Sequence, residues 1–216
     1  MEKLRITKKD LNANNEYIGK TDVTNFNGNI EIDELLGWVL FKSISVTGYL
    51  LAKAGSGIEA GLGIEAGSGI EAGLGIKAGS GIEAGWGIEA GSGIEAGLGI
   101  KAGLGIKAGW GIEARSGIEA GSGIKAGLGI KAGLSIMCKL SLKITKRIFA
   151  GLAIWKDSKE ITDAEKTITC GKLESGEVCY GILKEVGMPE EKKEISLSGK
   201  EVSVTVDGKT YRVIIQ

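Results

Sequence analysis

Histidine is absent from this chain, proline occurs once, and cysteine occurs three times among 216 residues. Without histidine there is no imidazole to act as a general base near neutral pH and none to ligate zinc. Cys138, Cys170 and Cys179 are odd in number and form no Cys-x-x-Cys pair, which argues against a disulfide framework and predicts a reducing, cytoplasmic setting. The charged start Met1-Glu2-Lys3-Leu4-Arg5 has no apolar leader behind it, in line with that expectation. Long hydrophobic runs are missing too. Charges recur too often to leave the roughly 20 apolar residues a membrane-spanning helix needs. Lys plus Arg number 27, as do Asp plus Glu, so net charge points neither to nucleic acid nor to a membrane surface.

What the chain has is glycine, 37 residues of it. Composition alone would suggest a flexible linker. From Ala54 to about Met137, however, the glycines recur with isoleucine in the unit Ala-Gly-X-Gly-Ile-Glu/Lys, X being Ser, Leu or Trp. A fixed short period with one β-branched residue per unit predicts a β-solenoid. Each unit reads as a strand such as Ser56-Gly57-Ile58, with Ser56 and Ile58 inward and Glu59 outward. Ala60-Gly61 then forms the corner, where glycine supplies a left-handed or otherwise restricted backbone.

The unit resembles the hexapeptide motif of left-handed parallel β-helices. In that motif an aliphatic residue precedes Gly, Ala, Glu or Asp, and a small residue follows at the fifth position. Ile64-Glu65-Ala66-Gly67-Ser68 matches at every defined position, whereas the unit from Ile58 departs where Leu62 replaces the small residue. The resemblance covers about Val46 to Trp155 and implies three hexads per coil, stacking Ile58 on Ile76, Ile94, Ile112 and Ile130. Two hexads per coil is the alternative. It would stack Glu65, Lys77, Glu89, Lys101, Glu113 and Lys125 in alternating sign at about 4.8 Å. Three are expected here. Trp110 then shares a coil with Ser116 and Ser122, and Trp86 with Leu74 and Ser80, so large and small side chains could offset one another in a closed interior. The tryptophans are accordingly expected inside, an outward binding pair being the alternative. Many proteins resembling this motif are acyltransferases with a histidine base, or hold zinc by histidine. Neither carries over to a chain without histidine, and no enzyme activity and no cofactor is expected.

The whole reads as an all-β parallel β-helix with an irregular N-terminal cap over residues 1–45 and repeats over 46–155. A small β-rich C-terminal domain over 156–216 completes it, ending in an Asp207-Gly208 hairpin. Thr7 to Leu11 reads as a helical turn. Strands are expected at Thr167–Cys170, Val178–Leu183, Glu194–Leu197, Val202–Val206 and Tyr211–Ile215, with a polar linker or short helix at Lys156–Lys166.

Other signals are weaker. Cys170 and Cys179 lack an obvious base and read as small buried hydrophobes. The Gly-x-Gly pairs lack the strand–loop–helix setting of a phosphate loop. Asp157, Glu160, Asp163 and Glu165 form no twelve-residue calcium loop and read as a solvated face. The outward Glu/Lys rank, without Thr, disfavours ice binding.

Charge along the array is asymmetric. Glu59, Glu65, Glu71, Glu83, Glu89 and Glu95 dominate its first half, and Lys101, Lys107, Arg115, Lys125 and Lys131 its second. The glutamates would project from a rigid rod and could occupy a basic groove of a protein or ribonucleoprotein partner. The basic residues could touch phosphates with little specificity. The complementary halves also suit an antiparallel two-fold dimer. A non-enzymatic binding or inhibitory protein is the expected function, with a bactofilin-like self-assembling scaffold as the alternative. The run Thr169-Cys170-Gly171-Lys172-Leu173-Glu174-Ser175-Gly176 loosely resembles proteins of bacterial mobile elements and phages, which would imply an anti-defence, anti-CRISPR-like role.

Overall fold

The structure, a computed structural model, describes residues 1–153, 161–188, 201–206 and 209–214. Isoleucine favours extended backbone, and side chains of a strand alternate between its two sides. In Ile64–Ala66, Ile82–Ala84, Ile100–Ala102 and the other Ile-Glu/Lys-Ala tripeptides, Ile and Ala are buried and the charged residue between them faces solvent. The strand is therefore Ile-Glu/Lys-Ala, and Gly-X-Gly is the corner, a shift from the phase expected above.

From Leu62 onward the X side chains consequently point outward. Trp86 and Trp110 are each 63% exposed, and Leu62, Leu98 and Leu104 are about half exposed. The expectation of tryptophans in a closed interior is overturned. One Ile and one Ala from each side already fill the section of a coil at close-packed density, leaving no volume for an indole. Leu62 at the motif's small position costs nothing for the same reason.

Coils contain three hexads. Ile58 pairs with Ile76, 18 residues on, then Ile76 with Ile94, Ile94 with Ile112, Ile112 with Ile130 and Ile130 with Ile148. All these ladders are parallel, and the twelve-residue alternative does not occur. The coil has three faces. Face I carries Ile70–Ala72, Ile88–Ala90, Ile106–Ala108 and Ile124–Ala126. Face II carries Ser56–Ala60, Ile76–Ala78, Ile94–Ala96, Ile112–Ala114 and Ile130–Ala132. Face III carries Ile64–Ala66, Ile82–Ala84, Ile100–Ala102, Ile118–Ala120 and Ile136–Cys138. The long strand Ser141–Phe149 pairs with both Ile124–Ala126 and Ile130–Ala132, joining faces I and II.

The array glycines do not serve as left-handed corners. Positive φ belongs to Gly37, Gly55, Gly151, Gly176, Gly181 and Gly187, all outside the repeats or at their start. Within the repeats the glycine after Ala is needed because the backbone of the preceding coil lies against it. A Cβ on Gly97 would stand 2.0 Å from the Gly79 carbonyl oxygen, and one on Gly103 1.9 Å from that of Gly85. Arg115 alone interrupts this column in the array, and its N–H reaches the Ala96 carbonyl at 3.2 Å where Gly97 reaches Ala78 at 2.9 Å.

Stacking begins at the first strand. Glu2–Ile6 pairs in parallel with Gly28–Ile32, and these first coils are longer than the 18-residue repeats, Ile44 facing Ile64 and Glu31 facing Leu51. The helical turn expected near Thr7 is a 3-10 turn at Lys8–Asp10, and the Asp10 carboxylate accepts from the N–H and the hydroxyl of Thr7 just before it. Glu16 bridges to Leu40 and Phe26 to Val46, so the N-terminal segment covers faces II and III while Glu2–Ile6 covers face I. Ser56 is fully buried. It accepts a hydrogen bond from the Leu36 N–H at 3.0 Å and donates one to the Asp33 carbonyl at 2.6 Å, tying the cap to the first regular coil.

Parallel pairing continues past residue 155. Thr167–Cys170 pairs with Ile136–Cys138, Lys172–Tyr180 with Ser141–Phe149, and Ile182–Glu185 with Thr167–Cys170. The strand expected over Val178–Leu183 is divided at Gly181, whose φ is 117°. Glu201–Val206 and Lys209–Ile214 pair antiparallel, Val206 opposite Lys209. The strand expected at Glu194–Leu197, the turn at Asp207-Gly208, and Ile154 and Trp155 lie outside the described residues. Among the described residues no helix is long and apolar enough to cross a membrane.

Candidate interaction surface

Because the middle residue of every strand points outward, the coil turns a one-dimensional sequence of charges into three parallel ladders. On face I the order is Glu71, Glu89, Lys107, Lys125, Lys143. On face II it is Glu59, Lys77, Glu95, Glu113, Lys131. On face III it is Glu65, Glu83, Lys101, Glu119, Met137. The six glutamates singled out from the sequence do not form one rank. Glu59, Glu65 and Glu71 are distributed over all three faces of one coil, and Glu59 and Glu95 are separated by Lys77.

Four of them do converge. Glu65 pairs with Glu83 on face III, and Glu71 with Glu89 on face I. The edge between those faces carries Ser68, Trp86, Leu104 and Ser122 in consecutive coils, linked by Trp86 N–H to Ser68, Leu104 to Trp86 and Ser122 to Leu104 backbone hydrogen bonds. Trp86 thus projects from an edge flanked on both sides by stacked carboxylates. The basic residues converge only on face I, where Lys107, Lys125 and Lys143 are consecutive. Lys101 lies between Glu83 and Glu119, Lys131 is paired with Glu113 at 2.6 Å, and Arg115 sits on the edge between faces II and III.

Adjacent like charges directly opposed in a ladder repel by a few tenths to about 1 kcal/mol. Glu71 beside Glu89, Glu65 beside Glu83 and Lys107 beside Lys125 carry that cost. Relief comes partly from Lys107, which donates a hydrogen bond to the Glu89 carboxylate and whose pKa is raised by it, and from Lys143 beside Glu174 at 3.6 Å. Exposed pairs of this kind contribute little to stability. The charge order is therefore poorly explained by folding.

Each face is bounded by an outward-pointing edge column, and the trough between is floored by the glycine preceding each isoleucine. Face I holds an open groove of about 660 Å³ lined by Tyr49, Trp86, Glu71, Glu89, Lys107 and Lys125. The face II groove is about 1330 Å³, bordered by Trp38, Trp110 and Phe149. Trp38 lies against Gly57 and Gly75 there, its ring atoms within 3.2 Å of where their Cβ atoms would be. The face III groove, about 550 Å³, has Met137 and no aromatic lining.

Nothing else described gathers catalytic groups. Cys138 and Cys170 continue the buried alanine column of face III and are buried themselves. Burial pushes the Cys138 thiol up to about 12 and raises that of Cys170 as well, the reverse of an activated nucleophile. Cys179, which was read as buried, is exposed. Asp163 is paired with Lys166 at 2.9 Å and Glu165 accepts from the Thr162 hydroxyl at 2.9 Å. Asp157 and Glu160 lie outside the described residues. Among the described residues no three Cys, Asp or Glu side chains gather as metal ligands.

Sequence reasoning missed Trp86 as an exposed residue. The signal was available, since the same position accepts Ser, Leu and Trp while the neighbouring Ile never varies. An interior site would not tolerate that range of volumes. The architecture is a parallel β-solenoid of hexapeptide repeats. No protein-family model, curated protein or solved structure matches the chain.

Proposed function

We propose that the protein is a non-enzymatic binding protein whose rigid solenoid presents face I and the Trp86 edge to a macromolecular partner. The observation that carries this reading is the exposed indole of Trp86 between the stacked pairs Glu65–Glu83 and Glu71–Glu89. An exposed aromatic anchor is the residue type that dominates binding energy when desolvated. Like-charge ladders beside it cost stability in the free chain, and an oppositely charged surface would relieve that cost. The rigidity of the scaffold lowers the ordering cost of association. Glu16 and Phe26 cover the first strands of faces II and III, which weighs against an open, bactofilin-like filament growing from that end, because covered edges do not template further strands.

The test is capture from a host lysate with the wild-type chain, Trp86→Ser and Glu65→Gln/Glu71→Gln/Glu83→Gln/Glu89→Gln. Proteins retained by the wild type and lost with both variants support the reading. An identical retained set for all three chains contradicts it.

A further inference from the structure

Face I is complementary to itself. Its ladder reads Glu71, Glu89, Lys107, Lys125 in consecutive coils. A two-fold axis along the strand direction, passing midway between Glu89 and Lys107, sets two copies face to face with their solenoid axes antiparallel. Glu71 then meets the partner copy's Lys125, and Glu89 meets its Lys107, each contact occurring twice by symmetry. The next coils outward bring Lys143 against the uncharged Leu51, which lies two coils before Glu89 in the same ladder.

The two edges bounding this face obey the same axis. On one edge the column Ser68, Trp86, Leu104, Ser122 places Trp86 on Leu104 and Ser68 on Ser122. On the other edge the column Leu74, Ser92, Trp110, Leu128 places Trp110 on Ser92 and Leu74 on Leu128. A large side chain thus meets a small one where the indole of Trp110 needs room, and apolar ridges flank the ion pairs and exclude water from them.

The other faces lack this property. On face II the axis between Lys77 and Glu95 sets Glu59 against Glu113, and an axis through Glu95 sets that residue against itself. On face III the axis between Glu83 and Lys101 sets Glu65 against Glu119. A parallel arrangement of face I would oppose every charge to its own sign.

We infer that the partner of face I is a second copy of this chain, bound as an antiparallel two-fold dimer centred between Glu89 and Lys107. This rests on reading face I as a binding surface and names its occupant. It leaves the larger face II groove, with Trp38 and Phe149, open to solvent.

The experiment is light scattering on the full chain and on the charge-reversed variants Glu71→Lys/Glu89→Lys and Lys107→Glu/Lys125→Glu, alone and mixed. The wild type is expected near twice 22.4 kDa. Each variant alone opposes like charges and is expected as a monomer, whereas their equimolar mixture regains the dimer mass. A wild-type monomer at tens of micromolar, a variant that still dimerises alone, or a mixture that stays monomeric overturns the inference. Should a variant fail to fold by circular dichroism, the wild type decides by salt. Its dissociation constant is expected to rise about tenfold or more between about 0.1 M and about 1 M salt, and a salt-independent mass overturns the dimer described. Lysate capture that depends on Trp86 in a monomeric wild type would leave the binding reading standing with a different macromolecule as partner. Failure of both experiments removes both.

Discussion

Gly79 sits so close beneath Gly61 that a Cβ on it would lie 2.1 Å from the Gly61 carbonyl oxygen, while Gly61 itself faces the looser preceding coil and has its nearest such atom at 3.7 Å. Two glycines at the same position of the repeat, each following an alanine, thus carry different constraints. Gly79→Ala is expected to destabilise the chain by about 1–3 kcal/mol through forced backbone displacement. Gly61→Ala should change stability by less than about 0.5 kcal/mol. Denaturant unfolding of the two variants checks both values.

The division between interior and corner gives a second contrast. Ile94 is buried on face II and Trp110 protrudes from the edge before it. Ile94→Ala is expected to cost about 2–5 kcal/mol, and Trp110→Ser about 0.5 kcal/mol or less in a dilute, unassociated chain. Had the tryptophan been a core residue, its removal would cost about 3–5 kcal/mol.

Ser56 offers a test of the cap. Removing its buried hydroxyl takes a hydrogen-bond partner from the half-buried Leu36 N–H and Asp33 carbonyl. Ser56→Ala is expected to cost about 1–3 kcal/mol, with faster amide exchange at Leu36 as the local readout. Unchanged protection there would mean that the hydroxyl does not hold the cap.

The solenoid class was legible in the sequence because Ile recurs every six residues throughout the array, and the three-hexad coil came from the resemblance to the hexapeptide motif, a six-residue period alone fitting two or three hexads equally. The phase of the strand was not, since X-Gly-Ile and Ile-Glu/Lys-Ala both fit a three-residue strand until the contact of Gly97 on Gly79 is seen. The acidic bias of the first half was legible as a list, yet Glu59 and Glu95 fall on a different face from Glu71 and Glu89. Only the 18-residue stacking decides which charges become neighbours. Trp86 was misplaced because offsetting volumes within a coil looked like core packing, although Ser, Leu and Trp at one position pointed outward.

Alkaline stability should report on Cys138. In the unfolded chain the thiol releases its proton near the ordinary 9.0, whereas burial holds it in the folded chain up to about 12. Between those values the folded state binds the extra proton, so stability present below about pH 9 is lost as pH rises toward 12. Cys138→Ala extends the column of Ala84, Ala102 and Ala120 and should flatten that loss when unfolding is measured at about pH 8 and about pH 10. An equal loss in both chains would place the effect elsewhere.

Which outward residues become neighbours determines both the Trp86 surface and the two-fold face, and a disulfide pair tests that directly. In a chain with its own cysteines replaced, Glu83→Cys/Lys101→Cys places the two thiols on paired residues of adjacent strands, at about the 4.8 Å spacing that a disulfide spans. Glu83→Cys/Glu95→Cys places them on different faces. Mild oxidation is expected to cross-link the first pair within one chain and leave the second reduced. Cross-linking of the second pair instead would mean twelve-residue coils, and would contradict the ladders, the Trp86 patch and the two-fold face together.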